Sequence, residues 1–342
     1  MKKILILTGA LFLFLQSDAQ PYLQSRAVDV SKDFEDFSNT YFFADSLSSF
    51  DPSTASGTIS WKRHSLYARQ AFNTTTVLPQ PLDMLDFPET QYESNPRLQF
   101  KIHFISPQTV RLRVYTSPVI FPEEESLMLC GTPPSDETWK YSYEEGSHIY
   151  KGQSGSLVIK EYPFTILLCD ENGKELTRTR HWADNDSTQI KVLPFQFIKR
   201  ASDNIRSINP VFSLHPGEKI VGCGESPTAL NKVGQKVHLF VTDPQSPEGD
   251  QMYKPIPFFF SSRGYGMFMH TSAPVTCDFG ASHAGASKLF MADETLDLFL
   301  FWGKPAQIID QYTDLTGKAA MPPVWSFGTW MSRITYFSQE EG

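Results

Sequence analysis

The 342 residues carry 30 Lys+Arg against 38 Asp+Glu, a formal net charge of −8, with 40% hydrophobic and 20% charged residues. That balance is ordinary for a globular chain with ample material for a core, and the length suits roughly two domains of ~150 residues or one large all-β domain. The acidic excess speaks against nucleic acid or an anionic membrane surface as partner, because both bind through clustered positive charge.

The chain opens on MKKILILTGALFLFLQSDAQ. Two lysines, an apolar run from Ile4 to Leu15 and the small-residue stretch Ser17-Asp18-Ala19 make up the pattern of a secretory signal peptide over residues 1–19. The run is too short for a comfortable membrane span, so the expectation is an exported protein, periplasmic or secreted, with no membrane partner. Residues 20–57 are polar, rich in Ser and Asp with scattered Phe, and read as an irregular segment.

From residue 58 to 320 period-two patterns dominate. RLQFKIHFI alternates Leu98, Phe100, Ile102 and Phe104 with polar residues, and TVRLRVY does so with Val110, Leu112 and Val114. KVHLFV and TLDLFLF repeat the pattern with Val237, Leu239 and Val241, and with Leu296, Leu298 and Leu300. Such alternation places one face on a core and the other toward water, as antiparallel sheets require. Asn172-Gly173 between two strand-like runs is a strong hairpin signal, and Arg263-Gly264 marks a second hairpin in PFFFSSRGYGMFMH. The main helix candidate is KPAQIIDQYTDLTG, with Pro305 in the first turn, Ile308, Ile309, Tyr312 and Leu315 at helical spacing, and Gly317 as the stop. The 27 Phe residues favour strands and can line sugar clefts, although core packing is their commoner use. Cys130, Cys169, Cys223 and Cys277 form no C-x-x-C and read as buried small hydrophobes.

At about residue 321 the character changes. PPVWSFGTWMSR is a Pro-containing connector followed by a strand signal apolar on both faces, which belongs in a parallel sheet under helices. Ser338, followed by Glu340 and Glu341, is a helix N-cap candidate.

Few motifs carry chemistry alone. Gly222-Cys223-Gly224 starts like a dinucleotide loop, but the third glycine position holds Pro227 and no βαβ unit surrounds it. Gly152-Gln153-Ser154-Gly155-Ser156 misses the spacing of a nucleophile elbow and reads as a turn. The eight histidines show no H-E-x-x-H, so a metal site has no local support. Asp243 follows a strand and opens a Pro/Gly-rich loop ending at Tyr253 and Pro255-Ile256-Pro257. An Asp before Pro is an ordinary turn starter, and a loop on a rigid sheet is also a favoured ligand contact.

Four segments in order, GCGESPTALNKVGQKVHLFVTDP, YKPIPFFFSSRGYGMFMHT, YTDLTGKAAMPPVWSFGTWMSR and ITYFSQEE, resemble glycoside hydrolase family 31, the α-glucosidases and α-xylosidases. The likeness is strong over residues 215–342 and weaker over 60–214. It implies a mainly β chain: a galactose-mutarotase-like β-sandwich, then the truncated start of a (β/α)8 barrel at 321–342. It also implies a retaining hydrolysis of α-linked oligosaccharides by two Asp carboxyls ~5 Å apart, without metal or organic cofactor. Neither catalytic motif of the family occurs in these residues, so catalytic residues are not expected here. The resemblance carries Asp243 over as a sugar contact and puts Trp330, Arg333 and Ile334 at the end of the first barrel strand, lining the sugar pocket. Ile334 stands where many α-glucosidases have an aromatic, which leaves room for an α-xylosidase or another specificity; Trp330 and Ile334 read equally as barrel core. A second reading is a carbohydrate-binding sandwich with no hydrolytic role. A barrel strand without neighbours would leave Trp325, Phe327 and Trp330 exposed.

Overall fold

The alternating stretches become strands, and their registers decide which side chains meet. The computed structural model describes residues 28–71, 74–81, 95–120, 125–181, 194–242, 251–331 and 337–341. In chain order the first ten strands are β1 Thr40–Asp51, β2 Ser56–Ala71, β3 Thr74–Pro81, β4 Arg97–Ser106, β5 Thr109–Tyr115, β6 Lys140–Glu144, β7 Ser147–Lys151, β8 Gly155–Lys160, β9 Thr165–Asp170 and β10 Glu175–Arg178. The next are β11 Gln196–Lys199, β12 Arg206–Asn209, β13 Val211–Ser213, β14 Ile220–Glu225 and β15 Lys236–Leu239. Then follow β16 Lys254–Ser261, β17 Tyr265–Met269, β18 Val275–Phe279, β19 Ala286–Met291, β20 Thr295–Trp302 and helix α1, Pro305–Thr316.

The antiparallel strands make two sheets. The long one runs β14-β16-β17-β20-β5-β4-β2-β1-β11-β12-β19-β18-β15, with β13 added on β19 and β3 on β2; the short one runs β10-β9-β8-β7-β6. The long sheet turns back on itself: Phe259 of β16, near one end, meets Phe279 of β18, near the other, edge to face at 4.9 Å. One core fills the fold, drawing Leu112, Leu298, Phe197 and Phe279 from the long sheet and Ile159 and Leu168 from the short one. Each such side chain contributes roughly 1.5–3 kcal/mol on burial. Trp302 ties the sheets together: its indole donates to Ser154 O at 3.0 Å and meets the Trp139 ring at 5.6 Å.

Alternation survives where one face is wet and fails where both are covered. In β4, Leu98, Phe100 and Ile102 are buried while Arg97, Gln99 and Lys101 are exposed. In β20, Leu296, Leu298 and Leu300 enter the main core, yet Phe299 and Phe301 on the opposite face are equally buried. That outer face is covered by α1 and by Met128 and Leu129, which pack with Phe258, Phe268, Phe299 and Phe301. Tyr312 of α1 stacks on Phe258 at 4.1 Å. The Gln307 side chain accepts from Lys304 N at 2.9 Å at the start of α1, Pro305 needs no donor there, and Gly317 ends it at φ 101°. Ile308 and Leu315 are buried as the spacing requires, but Ile309 lies 44% exposed on the edge of the apolar stripe. Both hairpin turns form, with Gly173 at φ 78° and Gly264 at φ 90°.

Three expectations are corrected. The stretch read as irregular contains β1, twelve residues paired with β2 and β11, and a 3-10 turn at Val30–Phe34 whose apolar residues pack with Phe43 and Phe290. Its mixed Ser and Phe content hid the strand because both of its faces are partly covered. Over 322–331 the strand signal does not become a strand: Val324–Phe327 is a 3-10 turn, and Trp325, Phe327, Trp330 and Met331 are exposed. A strand apolar on both faces forms only when neighbours pair it, and no described strand does so. Ser338 does cap a turn, accepting from Glu341 N at 3.3 Å. Cys169, Cys223 and Cys277 are buried, whereas Cys130 is exposed.

Candidate functional site

The first and last strands of the long sheet, β14 and β15, are joined by residues 226–235. Asn231 organises this turn, its Oδ1 accepting from Ile220 N at 3.1 Å and Val233 N at 3.2 Å. Gln235 Nε2 donates to Asn231 O at 2.6 Å, and Gly234 N to Phe279 O at 2.7 Å across to β18. Lys232 is buried, and its Nζ donates to Thr228 Oγ1 at 2.7 Å and Ser226 Oγ at 3.2 Å. A buried ammonium needs acceptors for its protons, so Lys232 ties Ser226 and Thr228 into a hydrogen-bonded platform. Sequence reasoning passed over Lys232, although it stands inside the ALNKVGQ part of the family-like segment.

The platform rests on close backbone approach. Gly222, Cys223 and Gly224 all have positive φ (136°, 71° and 93°). A Cβ on Gly224 would stand 2.1 Å from Lys254 O, and one on Gly222 2.5 Å from Phe258 O. The glycines bring β14 against β16 instead of cradling a dinucleotide.

Beyond β15, Val241 forms a parallel bridge with Met252, and Thr242 N donates to Met252 O at 3.2 Å. These contacts root the two ends of the loop that Asp243 opens. Asp243 itself lies outside the described residues, as do Arg333 and Ile334. Beside the roots in the chain, Phe240, Val241, Tyr253 and Ile256 are exposed, as is Leu230 in the 226–235 turn. Trp330 is described and is 69% exposed; its indole donates to Ser326 O at 2.9 Å and its ring stands 5.8 Å from Trp325. Of the four expected site residues, only Trp330 can thus be located, and its ring is exposed.

A second polar centre lies on the outer face of β5, β17 and β20. The register sets Arg113 opposite Asp297 and Arg111 opposite Phe299. Arg111 closes a two-point pair with Asp297, Nε to Oδ1 at 2.7 Å and Nη2 to Oδ2 at 2.5 Å. His270 Nδ1 lies 2.8 Å from Asp297 Oδ2, and Ser126 Oγ 2.6 Å from His270 Nε2. Burial disfavours the Asp297 carboxylate, but hydrogen bonds from Arg111 and His270 outweigh it and hold the group below its ordinary value. Beside these groups is a cavity of about 780 Å³ whose walls include Arg113, Tyr115, Asp293 and Thr295. No part of this cluster was singled out from the sequence, because its members are far apart in the chain: strand register pairs Arg113 with Asp297, and a loop brings Ser126 to His270.

The curled two-sheet architecture is that of a galactose-mutarotase-like sandwich. The family model described as the glycosyl hydrolase 31 N-terminal galactose mutarotase-like domain matches residues 99–278, more than half of the chain. The chain belongs to glycoside hydrolase family 31, through this N-terminal domain. It is 33% identical over 156 residues to the α-xylosidase XylQ of Lactiplantibacillus pentosus, a match covering 45% of this chain and 20% of that protein. An α-xylosidase of Emericella nidulans is 36% identical over 120 residues, covering 35% of this chain and 15% of that one. Alpha-glucosidase 2 of Bacillus thermoamyloliquefaciens is 27% identical over 194 residues, covering 54% and 22%. The chain therefore spans about a fifth of the length of these relatives. Among solved structures, the cycloalternan-forming enzyme of Listeria monocytogenes, in complex with a pentasaccharide, superimposes over 86% of this chain and 24% of that one, with a TM-score of 0.63 at 18% identity. A family 31 α-xylosidase from a soil metagenome, complexed with xylose, covers 72% and 36%, with a TM-score of 0.54 at 24% identity. These likenesses establish the sandwich fold.

Proposed function

We propose that this chain is the N-terminal, substrate-facing part of an exported retaining α-glycosidase, acting on α-xylosides in preference to α-glucosides. The observation that carries the reading is the seam of the long sheet, where the family-like segments converge. There the 226–235 platform, the roots of the Asp243 loop and the exposed Phe240 and Tyr253 lie on consecutive parts of the chain. In this reading Asp243 accepts hydrogen bonds from sugar hydroxyls, and Tyr253 offers a ring face to the sugar. Hydrolysis itself falls to two Asp carboxyls of a following barrel, one attacking the anomeric carbon and the other moving the proton. Trp330, Arg333 and Ile334 are assigned to the first strand of that barrel, with Ile334 favouring a xylosyl unit that lacks a hydroxymethyl group.

The test compares the full-length protein with the 342-residue chain on aryl α-xyloside and aryl α-glucoside. The full-length protein is expected to hydrolyse the xyloside faster, and Asp243→Ala to raise KM with lesser effect on kcat. Activity in the 342-residue chain alone would overturn the assignment of hydrolysis to the barrel. A folded full-length protein inactive on both glycosides, yet binding oligosaccharide, would establish the non-hydrolytic sandwich instead.

A further inference from the structure

The outer-face cluster does not belong to the sugar site just described, and its geometry has a chemistry of its own. The geometry points to an acyl-accepting site in which Ser126 is the nucleophile, His270 its base and Asp297 the group that orients the base. Nucleophilic serine chemistry needs a hydroxyl within hydrogen-bond reach of a base, and a third group that holds the base in one tautomer. Both relations are met, with Ser126 Oγ 2.6 Å from His270 Nε2 and His270 Nδ1 2.8 Å from Asp297 Oδ2.

The tautomer follows from donor counting. An ionised carboxylate only accepts, so His270 Nδ1 carries the proton and donates it to Asp297. Nε2 then keeps its lone pair, and the Ser126 hydroxyl is the donor in the short bond to it. The Met128 N–H donates to Ser126 Oγ at 3.1 Å and holds that oxygen in place beside His270. The three residues are brought together across 144 and 27 positions of sequence, so the arrangement is a product of the fold and not of a local turn.

The adjoining cavity of about 780 Å³ has room for a small ester, and Tyr115, Thr271, Asp293 and Thr295 on its wall suit a hydroxyl-rich alcohol portion. The class of substrate is accordingly a short-chain carboxylic ester of a polyol. Ser126 Oγ adds to the acyl carbon while its proton passes to His270 Nε2. The C–O bond to the alcohol then breaks, and the departing oxygen takes that proton. This leaves an acyl ester on Ser126 and the free alcohol. Water next attacks the acyl carbon by the same proton path, releasing the carboxylic acid and restoring Ser126. Arg111 bonds both oxygens of Asp297 and draws on the charge that would otherwise support an imidazolium at His270. The site therefore reacts best with activated acyl or phosphonyl groups and turns over slowly.

A fluorophosphonate probe incubated with the chain, followed by peptide mass analysis, tests the assignment. The expected result is an adduct on Ser126, absent in Ser126→Ala and formed roughly 100-fold more slowly in His270→Gln. Hydrolysis of an aryl acetate should fall in parallel. His270 is faced by Arg111, Asp297 and Ser126, with Arg113, Glu125 and Asp293 on the cavity wall. Circular dichroism checks that each variant is folded; if His270→Gln is not, the presence or absence of the Ser126 adduct in the unaltered chain decides. No adduct on Ser126 in the folded chain, or a labelling rate unchanged in a folded His270→Gln variant, would overturn the proposal and leave these bonds as a tether for residues 125–133.

Discussion

Replacing Arg111 with Met isolates the energetics of the outer face. The Arg111 side chain is 2% exposed and that of Asp297 14%, and two charge-assisted bonds of 2.7 and 2.5 Å join them. Removing one partner of such a pair leaves a buried charge and costs about 3–5 kcal/mol. Here His270 at 2.8 Å and Arg113 at 3.7 Å remain beside Asp297, which sets the expectation at the lower end, about 3 kcal/mol. Urea denaturation followed by tryptophan fluorescence reads the loss as a lower midpoint with unchanged slope. The double variant Arg111→Met/Asp297→Leu removes both charges and should recover to within about 1 kcal/mol of the parent. The pH dependence adds a signed check. Because the folded-state pKa of Asp297 lies below its unfolded value of about 3.9, the pair's stabilisation is complete above that value and is lost as pH falls through the folded pKa. The gap between parent and Arg111→Met should therefore narrow in acid. A single variant that loses under about 1 kcal/mol, or a double variant worse than the sum of the singles, would refute the buried-pair account.

Two glycines separate strain from crowding. Gly173→Ala, at φ 78° with nothing within 4 Å of the new methyl, should cost about 1 kcal/mol, whereas Gly224→Ala, at φ 93° and 2.1 Å from Lys254 O, should cost about 3 kcal/mol or more by urea midpoint. Equal losses would mean that φ alone matters at both. Trp302→Phe removes the donor to Ser154 O and should cost about 1–3 kcal/mol; a change under about 0.5 kcal/mol would show that the indole does not join the sheets. On α1, Ile308→Ala should lose about 2–5 kcal/mol and Ile309→Ala less than about 1 kcal/mol, since only the former is fully buried; comparable losses would place the wrong face on the sheet.

Much of the architecture was legible because its causes are local. Alternation at Leu98, Phe100 and Ile102 marks a strand with one wet face, and Asn172-Gly173 and Pro305 with Gly317 act within a few residues. What escaped depends on distant partners. β1 reads as irregular until β2 and β11 flank it. The stretch around Trp325 reads as a strand although no described neighbour pairs it. The candidate site divides the same way. The family-like segments point to Asp243 by order alone, while the use of Lys232 requires knowing that Ser226 and Thr228 fold back on it. The meeting of Ser126, His270 and Asp297 leaves no trace in spacing, because strand pairing and the path of the loop at Ser126, both set by distant contacts, decide it.

The closure of the long sheet bears on the order of folding. β14 and β15, its two outermost strands, are only a short turn apart in the chain, yet every other strand of that path lies between them in the order of the sheet. The 226–235 turn can close early as a local loop, but it settles only when pairings reaching from residue 40 to residue 302 are complete. Such long-range pairings form slowly. Amide exchange at Gly234, which donates to Phe279 O, should therefore report completion of the whole sheet, and the platform beside the Asp243 loop would be among the last parts of the molecule to become protected.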